Sequence, residues 1–151
     1  MSNKQDALTS DAIKKIYQHA ESTYPEECCG FVFASGTVHQ GINIQNQLHE
    51  QDPTKYPRTA KNGYSLSFED IQILNKSFDS DNKVVVIYHS HPDAGAYFSE
   101  EDTKQALFAG EPIYDVAYLV VETRNGMAED CRLFQFNQGG FVDVPLINLV
   151  R

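Results

Sequence analysis

Residues 89–102, HSHPDAGAYFSEED, place two histidines, two serines and four acidic side chains within fourteen positions. On a strand, residues i and i+2 face the same side, so His89 and His91 project together while Ser90 turns away. Pro92 stops such a strand just beyond them. After a loop containing Gly95, SEED opens a helix and brings Asp102 into its first turn. Two neutral imidazoles and one carboxylate suit zinc and leave a fourth position open for water, the ligand set of a hydrolytic site rather than a closed structural one. The same residues also have an ordinary use. Ser99 and Asp102 fit a helix capping box, and Glu100 and Glu101 favour the positive end of that helix. Two histidines at a strand end can equally be hydrogen-bonded surface groups.

A zinc hydrolase needs a base to take a proton from water and return it to the leaving group. YPEECCGF offers Glu26 and Glu27 just before an apolar run. Either carboxylate could reach a site on the sheet, or simply sit in a solvated turn. The residues themselves do not choose between them.

The elements that must carry these groups are legible from periodicity. Thr9 or Ser10 can cap a first helix whose Ile13, Ile16, Tyr17 and Ala20 share a face, ended by Pro25. CGFVFAS (29–35) reads as a buried strand and VHQGINIQ (38–45) as a second one after the Ser35-Gly36 turn. Residues 46–63 are polar, contain Pro53 and Pro57, and read as a long loop. GYSLS is a short strand, and Ser67 caps a helix with Ile71, Leu74 and Phe78 on one face. KVVVIYHSH is apolar enough to be a central strand covered on both sides. A third short helix runs from Ser99 to about Ala109. YDVAYLVVE is a further buried strand, joined through Asn125-Gly126 to CRLFQFN, with FVDVP last. The whole is expected to be one α/β domain over residues 1–151, core about 7–145, with a mixed, curved β-sheet flanked by helices.

Composition narrows the partners. Twelve Lys and Arg stand against 21 Asp and Glu, a net charge of −9 with no basic run, which disfavours nucleic acid and anionic membrane. No apolar stretch reaches the length of a membrane span, and the N-terminus lacks a signal peptide's apolar segment. Three cysteines, Cys28, Cys29 and Cys131, are odd in number and too few for a secreted disulfide framework, so a cytoplasmic location is expected.

Taken together, these motifs resemble the JAB/MPN metalloproteases that carry the JAMM motif. The family pattern is an upstream glutamate, then His-x-His-Pro, six residues, Ser, two residues, Asp. His89, His91, Pro92, Ser99 and Asp102 meet it without a gap, and Pro25, Glu27, Cys29 and Gly30 match the upstream Pro-x-Glu-x-Cys-Gly. The resemblance selects Glu27 over Glu26 and covers most of the chain, from about residue 7 to the last strand. It implies a cytidine-deaminase-like α/β fold and one zinc ion held by His89, His91 and Asp102. It implies Glu27 as the acid and base, and Ser99 as the hydroxyl that steadies the oxyanion. It further implies cleavage of a peptide or isopeptide bond after the C-terminal Gly-Gly of a ubiquitin-like protein. The chain is short, with 49 residues after Asp102, and so is most similar to prokaryotic members, whose proposed substrates include sulfur carriers of the ThiS/MoaD type. Asp102 is not easily both a full cap and a full ligand. Tyr56, Arg58 and Lys61 in the 46–63 segment are candidates for substrate contact, a solvated connection being the plain alternative; Tyr97 and Phe98 could line the approach, but a packed aromatic loop is the simpler reading of them.

Two rivals stand beside this reading. One is a thiol hydrolase using Cys28 or Cys29 with His89 or His91; the other is a module that binds a ubiquitin-like tail without cutting it. Other signals are weaker. His49-Glu50 lacks the second histidine of H-E-x-x-H, His19-Ala20-Glu21 has no following Cys-x-x-Cys, and His39 on a strand reads as structural.

Overall fold

The computed structural model describes residues 3–146. Thr9 caps helix α1 (Ser10–Thr23) by accepting a hydrogen bond from the Ala12 amide at 3.1 Å. Ala12, Ile13, Ile16 and Ala20 recur at helical spacing and are buried, which makes α1 an amphipathic cover for a sheet. Strands β1 (Cys29–Phe33) and β2 (Val38–Gln40) follow, then helices α2 (Gln45–Gln51) and α3 (Phe68–Ser77). The chain continues through strand β3 (Val84–Pro92), helix α4 (Glu100–Ala106), a small hairpin of β4 (Leu107–Phe108) and β5 (Glu111–Pro112), and strands β6 (Ala117–Arg124), β7 (Met127–Asn137) and β8 (Gly140–Val144).

The main sheet has the order β2-β1-β3-β6-β7-β8. Only β3 and β6 run parallel, with Val86 opposite Ala117 and Pro92 opposite Thr123; the other pairs are antiparallel. This is the mixed α/β sheet expected from the sequence, with the apolar run ending in His89 and His91 at its centre. Parallel neighbours need a long crossover, and the segment that supplies it here carries α4 and the β4-β5 hairpin.

The two faces bury different clusters. Ile13, Ile16 and Ala20 of α1 pack on Val32, Val86, Tyr88, Leu119, Val121 and Leu133. On the other face Leu74 of α3 and Ala106 of α4 pack on Phe31, Ile87 and Tyr118. Because strand residues alternate, Ile87, His89 and His91 share the α3/α4 face, and Tyr88 and Ser90 share the α1 face.

Several boundaries differ from the sequence reading. Residues 46–63 are not all loop, since α2 occupies Gln45–Gln51. That helix has no apolar stripe to announce it; it is started by the Asn43 side chain, which accepts from the Gln45 amide at 3.0 Å. The second strand ends at Gln40, and Asn43 and Leu66 form only an isolated bridge where GYSLS was expected to be a strand. β1 stops at Phe33, where Ser35 and Gly36 turn the chain. α4 ends at Ala106, and the next two residues pair as β4 rather than extending the helix.

Candidate metal centre

His89, His91 and Asp102 converge at one buried point. His89 Nε2 lies 3.1 Å from His91 Nε2 and 3.1 Å from Asp102 Oδ1, and His91 Nε2 lies 3.2 Å from Asp102 Oδ2. The three are almost fully buried, at 0%, 6% and 7% exposure. Ligands about 2.0–2.1 Å from a tetrahedral ion stand roughly 3.3 Å apart, which is close to the spacing of the two imidazole nitrogens and of each from its nearer Asp102 oxygen.

Proton bookkeeping points the same way. His91 Nδ1 lies 2.9 Å from the Gly95 carbonyl, which can only accept, so that nitrogen carries the hydrogen. In the neutral ring Nε2 is then a bare lone pair facing a carboxylate oxygen, an arrangement that a proton or a cation must reconcile. Burial disfavours a charged His91, but its hydrogen bonds with Asp102 and Gly95 and the Asp102 charge outweigh that and raise its pKa. Burial likewise opposes an ionised Asp102. The His89 charge and hydrogen bonds from His89, His91 and the Ser99 amide win, and hold the carboxyl well below its usual range. The group can hold a metal ion.

Secondary structure explains the convergence. β3 supplies the two imidazoles by strand alternation, and Tyr64 stacks on His89 with ring centroids 4.6 Å apart. α4 supplies Asp102 from its N3 position. Ser99 Oγ accepts from the Asp102 amide at 3.0 Å, and Asp102 Oδ2 accepts from the Ser99 amide at 3.0 Å. Capping and convergence on the histidines were expected to compete; the structure has both, because the carboxylate turns Oδ1 toward His89 while Oδ2 is shared between the Ser99 amide and His91.

Glu27 joins the site from the segment that leads into β1. Cys29 pairs with His89, and continuing that antiparallel register sets Glu27 across from His91 on the same face. The backbone of Glu27 is fixed on both sides. Its amide donates to the Ala60 carbonyl at 2.7 Å, and its carbonyl accepts from Asn43 Nδ2 at 2.9 Å. Its side chain is buried and lines a cavity of about 160 Å³ with His91, Ser99 and Asp102. Burial raises its pKa to about 7, an effect that the two imidazoles and Arg58 only partly offset. Glu26, by contrast, accepts a hydrogen bond from Asn46 Nδ2 at 2.8 Å.

Three supporting residues went unread in the sequence. Ser90 anchors β3 to the Cys28 amide, Tyr64 backs His89, and Asn43 bridges the carbonyls of Glu27 and Gly63. None belongs to a catalytic residue pattern, and Ser90 could have been flagged only as a polar residue inside an apolar strand. Of the 46–63 candidates, Arg58 and Lys61 line the cavity and Tyr56 lines an adjoining groove. Tyr97 packs edge-on to His91 and lines the cavity, whereas Phe98 is committed to Tyr118, Phe134 and Phe141. Cys28 and Cys29 are fully buried, and burial pushes the Cys28 thiol up to about 12 and raises Cys29 as well. His39 pairs with Asp70 at 2.7 Å and stacks on Phe31, a structural role as expected. Among the described residues no helix is long and apolar enough to cross a membrane.

Fold and site together define a mixed α/β domain that presents a His-x-His strand end and a helix-borne aspartate to one point beside a buried glutamate. The chain belongs to the family of prokaryotic homologs of the JAB domain, which matches residues 9–136. It is 29% identical over 144 residues to the CysO-cysteine peptidase of Mycobacterium tuberculosis, covering 95% of this chain and 90% of that protein. It is also 36% identical over 98 residues to tail tip assembly protein K of Escherichia phage N15, covering 65% of this chain and 35% of that longer protein. A protein of Desulfitobacterium hafniense solved in solution shares the fold, with a TM-score of 0.65 at 17% identity over 92% of this chain and 89% of that one. One of Salinibacter ruber gives a TM-score of 0.55 at 25% identity over 92% and 88%.

Proposed function

We propose that this chain is a cytoplasmic zinc-dependent peptidase. Its substrate is a ubiquitin-like or sulfur-carrier protein, cut after the Gly-Gly at its C-terminus. The observation that carries the reading is the approach of the His89 and His91 nitrogens to each other and to the Asp102 carboxylate at 3.1–3.2 Å, with the buried Glu27 beside them. The similarity to a CysO-cysteine peptidase over nearly its full length supports the substrate class.

His89 Nε2, His91 Nε2 and Asp102 would hold the zinc, one ion per chain. When bound, the ion supplies a Lewis acid that polarises a carbonyl and acidifies water. Glu27 accepts the proton of the attacking water and delivers it to the departing amine; a carboxyl whose pKa lies near neutrality suits both transfers. Ser99 Oγ accepts from the Asp102 amide, which leaves its own hydrogen available to a developing oxyanion. The Gly95 carbonyl keeps the His91 hydrogen on Nδ1 and so leaves the Nε2 lone pair free to bind a metal. Only glycine lets backbone pass so close to neighbouring groups, which fits a Gly-Gly tail entering a small cavity.

The test is to reconstitute the protein with zinc and incubate it with a sulfur-carrier protein extended by one residue beyond Gly-Gly. Mass spectrometry should show loss of that residue. A chelator should abolish the cleavage, and an alkylating agent should leave it intact because both candidate thiols are buried. Zinc binding well below one ion per chain, or a stoichiometrically loaded protein that leaves the carrier uncut, overturns the proposal.

A further inference from the structure

The chain is acidic overall, yet cations gather beside the cavity. A groove of about 390 Å³ adjoins it and shares Arg58, Gly63, Tyr64, Glu101 and Gln105 with it. Lys55, Arg58 and Lys104 line the groove against the single carboxylate of Glu101, a net +2, which leaves 9 cations and 20 carboxylates for the rest of the chain. Lys61 lines the cavity itself.

Arg58 stands where cavity and groove meet, and its position is built. Its carbonyl accepts from Gln45 Nε2 at 3.1 Å, and its Nη1 donates to the Asn62 carbonyl at 2.8 Å. Gly63 gives its stem room, since a Cβ there would come within 3.2 Å of Arg58 Cβ. The acidic neighbour Glu101 is 3.9 Å from Nε, and both side chains are about half exposed, so this pairing is weak; with Nη1 on the Asn62 carbonyl, the Nε–Nη2 edge is left for a two-pronged contact. Two residues further on, the Ala60 carbonyl accepts from the Glu27 amide at 2.7 Å, so the segment that carries Arg58 runs beside Glu27, and both residues line the cavity.

We propose that Arg58 recognises a free carboxylate on the leaving portion of the substrate, so that the reaction removes a single C-terminal amino acid. The inference rests on the peptidase reading above. Glu27 returns its proton to the leaving amine, so that amine departs on the Glu27 side. In an α-amino acid the carboxylate carbon is two bonds from the amine, and its oxygens lie about 3–4 Å away, on the side where Arg58 stands. An internal residue offers a neutral amide there, and a lysine side chain joined through its ε-amine carries its own carboxylate far away. A planar fork grips a carboxylate in two-pronged fashion and gains little from an amide. Lys55, Lys61 and Lys104 add positive potential along the approach.

The experiment uses the zinc-loaded full chain and a sulfur-carrier protein with one residue added after Gly-Gly, prepared as the free acid and as the C-terminal amide. Wild type should favour the acid by roughly 10- to 100-fold in kcat/KM, the scale of a hydrogen-bonded charge contact. The ratio should fall to near one in Arg58→Gln and lie between in Arg58→Lys, which keeps the charge and loses the fork. Zinc content and urea midpoint report whether each variant is folded, and the lysine variant carries the test if the glutamine variant is not. A wild-type ratio near one, or a ratio unchanged in a folded variant, overturns the proposal. Cleavage of neither form by wild type defeats the peptidase reading itself.

Discussion

Ser90 Oγ accepts a hydrogen bond from the Cys28 amide at 2.8 Å, and the Cys28 carbonyl accepts from the Ser90 amide at 3.2 Å. This double link ties the residue between the two histidines to the residue following Glu27. It fixes the distance between β3, which carries the imidazoles, and the chain that carries the glutamate. Ser90 is fully buried, so Ser90→Ala leaves the Cys28 amide without a partner and out of reach of water. We expect it to lower stability by about 1–3 kcal/mol, read from the urea midpoint. Zinc affinity should weaken along with it, measured by competition with a chromogenic chelator. An unchanged midpoint would show that the link positions nothing.

Glu27→Gln should retain zinc and abolish cleavage by at least about 10²-fold. The same variant reports on burial. Folding raises the Glu27 pKa from 4.5 to about 7. A raised carboxyl favours folding while protonated, so that contribution is complete below pH 4.5 and is lost as pH rises through 7. Glutamine resembles the protonated form at every pH. In ion-free protein the two should therefore unfold alike near pH 4, and Glu27→Gln should be the more stable at pH 8, by an amount on the order of 3 kcal/mol. A bound cation favours the carboxylate and should shrink the difference.

Metal affinity should fall on the acid side of neutrality. His91 must give up its Nε2 proton to bind an ion, and its surroundings raise its pKa above the ordinary 6.5. Protons therefore compete with zinc from a higher pH than an unperturbed imidazole would allow. Equilibrium dialysis from pH 8 to pH 5 should show the apparent zinc affinity already falling at pH values above 6.5. Asp102→Asn removes the carboxylate partner that stabilises the charged ring and should move the proton competition to lower pH, even as overall affinity drops. Proton competition that begins at the same pH in both proteins would detach His91 from the Asp102 carboxylate.

How much of this could be read beforehand follows from how local each feature is. His89 and His91 sit two apart on an apolar strand, and Ser99 and Asp102 sit three apart at a helix start, so alternation and capping alone bring each pair to one side. Joining the pairs needs the loop between β3 and α4 to fold back, which spacing does not dictate; the resemblance supplied that step. Choosing Glu27 over Glu26 from physics needs the register of β1 against β3, a long-range property absent from the local pattern. The 46–63 segment misled for a different reason. Its helix is polar and depends on the Asn43 side chain and on contacts with Glu27 and Gly63, so no periodic stripe betrays it.

Ser99 combines two duties that substitutions can separate. Its oxygen caps α4 through the Asp102 amide, while its hydrogen is proposed to meet the oxyanion. Ser99→Ala removes both and should cost about 1 kcal/mol of stability through the lost cap. It should also lower kcat by about 10²-fold, the scale for a single oxyanion donor. Ser99→Thr keeps a hydroxyl in the cap, so stability should recover, and activity should recover to the extent that the extra methyl is accommodated in the cavity. If Ser99→Ala loses stability but keeps its kcat at saturating zinc, the hydroxyl is a cap alone and the oxyanion is steadied without it.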